Sequence, residues 1–176
     1  MSTRNVYLIS VPAKDARPHW TIWIPQDSDN PLSVGKRIEA IGAPQFGFKI
    51  EVEHAFDWRK VPSSNKIGLF LLGTTDASHI IEVAEPTKTT DMNKNDKFEE
   101  VASKLKAPRA ASRDVMPIGT VSQVTAALQH DIPGMRRCQE WTMGYIDALI
   151  KADLLPNEAT TAVAEARQLN PFPPTD

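Results

Sequence analysis

The chain has 176 residues, with 20 Lys and Arg against 22 Asp and Glu, a formal net charge of −2 and a pI of about 6.1. That length suits a single domain, 1–176, and the near-neutral balance leaves no electrostatic footprint for nucleic acid. No window approaches the roughly 18 apolar residues of a membrane span, and the one cysteine excludes an internal disulfide.

The start, Met1-Ser2-Thr3-Arg4-Asn5, leads into a short apolar run that soon meets Lys14, Asp15 and Arg17, a poor signal peptide. No Cys/His spacing suggests zinc, so no metal or other cofactor is expected. A soluble cytoplasmic protein is the default expectation. The 14 prolines point to many irregular connections, and nothing in the pattern specifies an oligomeric state.

Val6-Tyr7-Leu8-Ile9 reads as a buried strand. The next run, His19-Trp20-Thr21-Ile22-Trp23-Ile24, lies between Pro18 and Pro25. Alternation puts His19, Thr21 and Trp23 on one face and Trp20, Ile22 and Ile24 on the other, the expected core face. A polar turn covers Gln26 to Pro31. Gly35 opens a third strand, Lys36 to Ile41, closed by Gly42. The fourth, Gln45 to His54, has the clearest period of two: Phe46, Phe48, Ile50, Val52 and His54 against Lys49, Glu51 and Glu53. Asp57 to Asn65 is expected to be a loop and Ile67 to Leu72 a buried strand, with a short ambiguous element around Ile80–Val83.

After Pro86 the pattern turns helical. Phe98, Val101, Ala102 and Leu105 predict an amphipathic helix over Asp96–Lys106. Residues 107–118 are expected to form an exposed linker. Thr120 and Gln123 have capping-box spacing and start a helix that ends before Pro133. The next helix is predicted from about Gly134 to Ala152, with Cys138, Trp141, Tyr145, Ala148, Leu149 and Ala152 on one face. Asn157 to Leu169 forms a last helix, and residues 170–176 an extended tail. The expected class is therefore α+β: an antiparallel sheet from the N-terminal half packed against C-terminal helices.

The chemistry centres on Met135-Arg136-Arg137-Cys138-Gln139-Glu140-Trp141, which holds the only cysteine. A thiol at a helix start meets unpaired N–H groups and a positive dipole end, both of which favour the thiolate. A histidine on a strand is a base that can accept its proton. His19 is that candidate, and Glu39 is the candidate that orients the imidazole. Each has a plainer alternative: a small core cysteine, a surface histidine, and a solvated glutamate beside Arg37. His54 reads as a hydrogen-bonded histidine at the core edge, while His79 and His130 sit in or near loops. There is no glycine-rich phosphate loop, GxSxG elbow or HExxH motif.

Together these segments resemble the lecithin:retinol acyltransferase-like group of the permuted NlpC/P60, papain-like enzymes. That group has a His-Trp-Ala-Ile/Val-Tyr strand, then Gly-x-x-x-His, then an Asn-Cys-Glu-His-Phe helix start. Here His19-Trp20-Thr21-Ile22-Trp23 is similar to the first. Gly35-Lys36-Arg37-Ile38-Glu39 lies on the second, with glutamate for histidine. Arg137-Cys138-Gln139-Glu140-Trp141 lies on the third, with arginine for asparagine. The resemblance implies a permuted papain-like fold, Cys138 as nucleophile, His19 as base and Glu39 as orienting residue. The expected activity is a thiol-dependent hydrolase or acyltransferase acting on an amide, ester or thioester, with Trp23, Trp141 and Thr21 as candidate substrate contacts. Two alternatives stand beside it: a small-molecule-binding protein or specialised-metabolite cyclase or isomerase using the same cleft, and an inactive interaction module.

Overall fold

The computed structural model describes residues 2–13, 16–61, 67–90, 95–111, 119, 120, 123 and 135–169. Strands β1 (Thr3–Ala13), β2 (Ala16–Pro25), β3 (Val34–Ala43), β4 (Gly47–Asp57), β5 (Gly68–Asp76) and β6 (Thr87–Thr89) precede helices α1 (Lys97–Ser103), α2 (Cys138–Lys151) and α3 (Ala159–Leu169). The strands form one antiparallel six-stranded sheet in the order β5-β1-β2-β3-β4-β6. Helix α2 lies on β2 and β3, α3 on β5 and β1, and α1 on α2. The class is α+β, with strands from the N-terminal half and helices from the C-terminal half.

One face of the sheet carries Val6, Leu8, Trp20, Ile22, Ile24 and Ile38 against Trp141, Tyr145, Ile146 and Leu149 of α2. This is the core face expected from β2's alternation. The opposite face is buried as well, because the chain folds back over it after β4. Trp58, in a short 3-10 turn at Trp58–Lys60, packs edge-on against Trp23 at 5.8 Å and joins Tyr7 and Ile9. A segment expected to be plain loop therefore supplies a core side chain.

Lys36 of β3 is buried with its ammonium bonded to Asp96 and, at 2.7 Å, to Glu99; His54 lies 3.2 Å from Glu99. These charges survive burial because they are paired, and they tie β3 and β4 to the start of α1. His54 is thus a buried histidine at the core edge, set against the Glu99 carboxylate.

Other expectations are corrected. Phe46 sits in the β3–β4 turn and is 91% exposed, off the buried row of β4. Strand β5 is at the sheet edge, so Phe70 and Leu72 are buried while Leu71 is half exposed. Ile80–Val83 is no strand; the pairing goes instead to Thr87–Thr89 on β4. The linker's first residues are not free: Phe48 N–H donates to Pro108 O at 2.9 Å and Ala111 N–H to Pro44 O at 2.8 Å. Thr120 and Gln123 make the reciprocal capping bonds, at 2.9 and 3.4 Å. The remainder of that helix, residues 112–118, His130 and the tail 170–176 lie outside the described residues.

Candidate active site

The site begins where the sheet forks. The β2–β3 ladder ends at Thr21↔Glu39. Strand β2 stays paired to β1 through Val11↔His19, and β3 to β4 through Ala43↔Gly47. The two hairpins part beyond Glu39, leaving the edge of β2 open from Trp20 back to Pro18. An unpaired strand edge needs other partners, and the start of α2 supplies them. Gln139 Nε2 donates to Pro18 O at 2.9 Å, and Trp20 N–H donates to the Cys138 sulfur. Arg17 and Glu140 close the junction with an ion pair at 2.8 Å.

Helix α2 starts at Cys138, a turn later than its apolar periodicity predicts. Arg137 is extended, with φ −131°, and its N–H donates to the Glu140 carboxylate at 2.7 Å. Glutamate at the third helical position thus does the reaching-back half of a capping box. The consequence is that Cys138 occupies the first helical position, where the Cys138 and Gln139 N–H groups have no carbonyl within the helix to bond.

His19 lies between Cys138 and Glu39. Its Nε2 is 2.7 Å from Glu39 Oε2, and the ring also shares a hydrogen bond with the Cys138 thiol. Burial opposes a charge on His19, but the hydrogen bonds and charges of Cys138 and Glu39 outweigh it and raise the imidazole from 6.5 to about 10. Burial likewise opposes the thiolate, yet the His19 bond and charge, with the Trp20 N–H, hold Cys138 below the ordinary thiol value. Glu39 is held below its usual range despite its own burial, first by the bond to His19 and then by the charge of His19, Arg37 and Lys88. Both shifts run in the direction that favours a thiolate beside an imidazolium. Arg37 steadies the far side of Glu39 at 3.2 Å, is itself bonded to Glu53 at 2.6 Å, and lies 4.1 Å over the Phe56 ring.

A cleft of about 200 Å³ opens over the thiol, walled by Arg17, His19, Gly42, Arg137, Cys138 and Gln139. His19 and Gly42 also wall a second cleft of about 420 Å³ on the Glu39 side. Among the described residues, no group of three or more His, Cys, Asp and Glu gathers as a metal site.

Of the residues singled out from sequence, the fold brings Cys138, His19 and Glu39 together. Glu39, with a plain surface reading open to it, is 3% exposed. The other three are not cleft walls. Trp23 is fully buried under Trp58 and Phe56, and Trp141 is 2% exposed and stacked on Tyr145 at 5.0 Å. Thr21 is fully buried, and its hydroxyl donates to Ile38 O at 3.3 Å. Both faces of β2 are covered, so large side chains in its middle become core. Gln139, Arg17 and Gly42 were not evident as site residues in the sequence, since each acts through a fork that only the strand register reveals.

No helix of the described chain is long and apolar enough to cross a membrane. No curated protein matches the chain, and no solved structure does. A family model does match, over residues 6–156, which takes in the sheet from Val6 onward and all of α2 with Cys138. The chain belongs to the DUF6540 family, a family of unknown function.

Proposed function

We propose that this protein is a thiol-dependent hydrolase or acyltransferase acting on an amide, ester or thioester, with Cys138 as nucleophile, His19 as proton carrier and Glu39 as the residue that orients and charges His19. The observation that carries this reading is the approach of both Cys138 and Glu39 to the one His19 imidazole. That constellation is what an activated nucleophile requires: a thiol, a base within reach, and a third group holding the base. The motif likeness to the lecithin:retinol acyltransferase-like group, and with it a permuted papain-like fold, supports the same assignment of roles. A single reduced thiol also fits a cytoplasmic setting.

In this reading the Cys138 thiolate attacks the substrate carbonyl carbon. A carbon–sulfur bond forms and the carbonyl electron pair moves to oxygen. The Cys138 and Gln139 N–H groups at the start of α2 are the donors for that oxyanion. As the electron pair returns, the bond to the leaving group breaks and His19 gives the leaving group its proton. Water or another acceptor then loses a proton to His19 and attacks the thioester. The carbon–sulfur bond breaks, and the thiolate–imidazolium pair is restored.

The test is the pH dependence of Cys138 alkylation in the wild type and in His19→Ala, joined to mass spectrometry with acyl thioester and activated ester probes. Reaction well below pH 8 that disappears in His19→Ala, with an acyl adduct on Cys138, is the expected result. A thiol that reacts like free cysteine in both proteins, or no adduct with any probe, sinks the reading.

A further inference from the structure

The second cleft adjoins the thiol cleft but does not include the thiol. Its walls are largely apolar: Val11, Ile41, Trp58 and Val61, with Arg37 and Glu39 toward the sheet. At about 420 Å³ it is twice the size of the cleft over Cys138, about 200 Å³. A volume of roughly 300–1,000 Å³ with apolar walls and a few polar groups is the usual make-up of a small-molecule site; the thiol cleft alone falls short of it. The two clefts meet at His19 and Gly42, which wall both.

Proton bookkeeping assigns the two clefts different halves of a substrate. The leaving group receives its proton from His19, and the incoming acceptor returns one to His19. Both must therefore stand beside His19, which walls both clefts, and the larger cleft has the room for them. The acyl part remains on the Cys138 side, in the smaller cleft.

We propose that the Val11–Ile41–Trp58–Val61 cleft is the leaving-group and acceptor subsite, and that the substrate joins a short acyl group to a larger, uncharged, apolar alcohol, thiol or amine. This rests on the thiol chemistry proposed above. Gly42 belongs to the argument because it sits at the waist between the clefts. Its φ is +149°, and an added Cβ would lie 2.2 Å from Gly47 O, so the β3–β4 turn that forms this waist requires glycine.

Two measurements test the proposal separately from the chemistry. The first is ligand-observed NMR with 2-phenylethanol, with glycerol as the polar comparator, on the wild type, Cys138→Ala and Val61→Phe. The expected result is binding of 2-phenylethanol to the wild type and Cys138→Ala alike, at least tenfold weaker binding in Val61→Phe, and none of glycerol. Ile41→Phe fills the cleft from the strand side and takes the place of Val61→Phe if that variant folds poorly. The second loads Cys138 with acetate from acetyl-N-acetylcysteamine and measures partition of the acyl group between water and 2-phenylethanol. Transfer to 2-phenylethanol is expected to saturate, and its ratio to hydrolysis to fall about tenfold in the filled variants. An acylated enzyme with no preference for 2-phenylethanol over glycerol overturns this inference and leaves the thiol chemistry intact. Binding without any acylation of Cys138 overturns the thiol chemistry, and the leaving-group assignment falls with it.

Discussion

His19 and Glu39 are diagonal neighbours across the last pair of the β2–β3 ladder, Thr21↔Glu39, and their side chains meet at 2.7 Å. Diagonal positions on one face are within reach of long side chains. Here the fork just beyond that pair lets the imidazole turn toward the sulfur while Nε2 stays on the carboxylate. The charge of Glu39, as well as its geometry, then favours the protonated form of the imidazole that faces the thiol.

Replacing Glu39 by glutamine separates these two contributions. The amide oxygen can still accept from Nε2–H, so the ring stays oriented, but the negative charge is gone. His19 then becomes easier to deprotonate, and Cys138 loses part of the imidazolium that favours its thiolate. The midpoint of Cys138 alkylation is expected to move up by on the order of one pH unit, within the range for removing an opposite charge at contact. Glu39→Ala, which loses both charge and orientation, is expected to move it further. An unmoved profile in Glu39→Gln would show that orientation alone matters.

The buried charges around Lys36 make a stability prediction independent of the site. Glu99 is buried and burial alone would raise its pKa, yet bonds from His54 and Lys36 and the charge of Lys36 lower it from 4.5 to about 2. A depressed folded value means stability present above pH 4.5 and lost as pH falls through about 2. Glu99→Gln is expected to flatten the acid limb of a urea-unfolding series over that window. Lys36→Met leaves Asp96 and Glu99 buried without their cation, and it is expected to cost about 3–5 kcal/mol at neutral pH. A loss below 1 kcal/mol would mean that water reaches the cluster.

Gly42 predicts a local failure. Alanine there meets both a positive φ and the Gly47 carbonyl at 2.2 Å, so the β3–β4 turn must rearrange. Gly42→Ala is expected to destabilise the fold by about 1–3 kcal/mol. It should also slow alkylation of Cys138 by bulky maleimides more than by iodoacetamide, because Gly42 walls the cleft over the thiol. Equal slowing of both reagents would place the change away from the cleft.

Much of this arrangement could be read from the sequence. Strand alternation set His19 apart from Trp20, Ile22 and Ile24, and the switch to helical spacing after Pro86 separated sheet from helices. What stayed hidden depends on contacts between segments distant in the chain. Trp23 looks like a cleft aromatic until the return of the chain after β4 puts it under Trp58. Leu71 looks buried until β5 is known to be an edge strand. Thr87–Thr89 is too short and polar to announce itself and pairs only because β4 offers an open edge. Glu39 has the alternation of an exposed residue, and only the β2–β3 register brings it against His19.

Gln139 offers the sharpest test of how the fork positions the thiol. Its side chain does not reach Cys138's partners; it donates to Pro18 O at 2.9 Å and so pins the first turn of α2 to the open edge of β2. That makes it a positioning residue. Gln139→Ala releases the pin and leaves a backbone carbonyl unsatisfied, a change worth about 1 kcal/mol of stability. The alkylation midpoint of Cys138 is expected to rise, since the sulfur drifts from both His19 and the Trp20 N–H. Gln139→Glu keeps the shape of the side chain but presents a carboxylate, which cannot donate to a carbonyl. It should resemble Gln139→Ala in the pH profile rather than the wild type. If Gln139→Glu instead retains the wild-type midpoint, the hydrogen bond to Pro18 is not what holds the helix start, and the Arg17–Glu140 ion pair at 2.8 Å is the remaining clamp to remove.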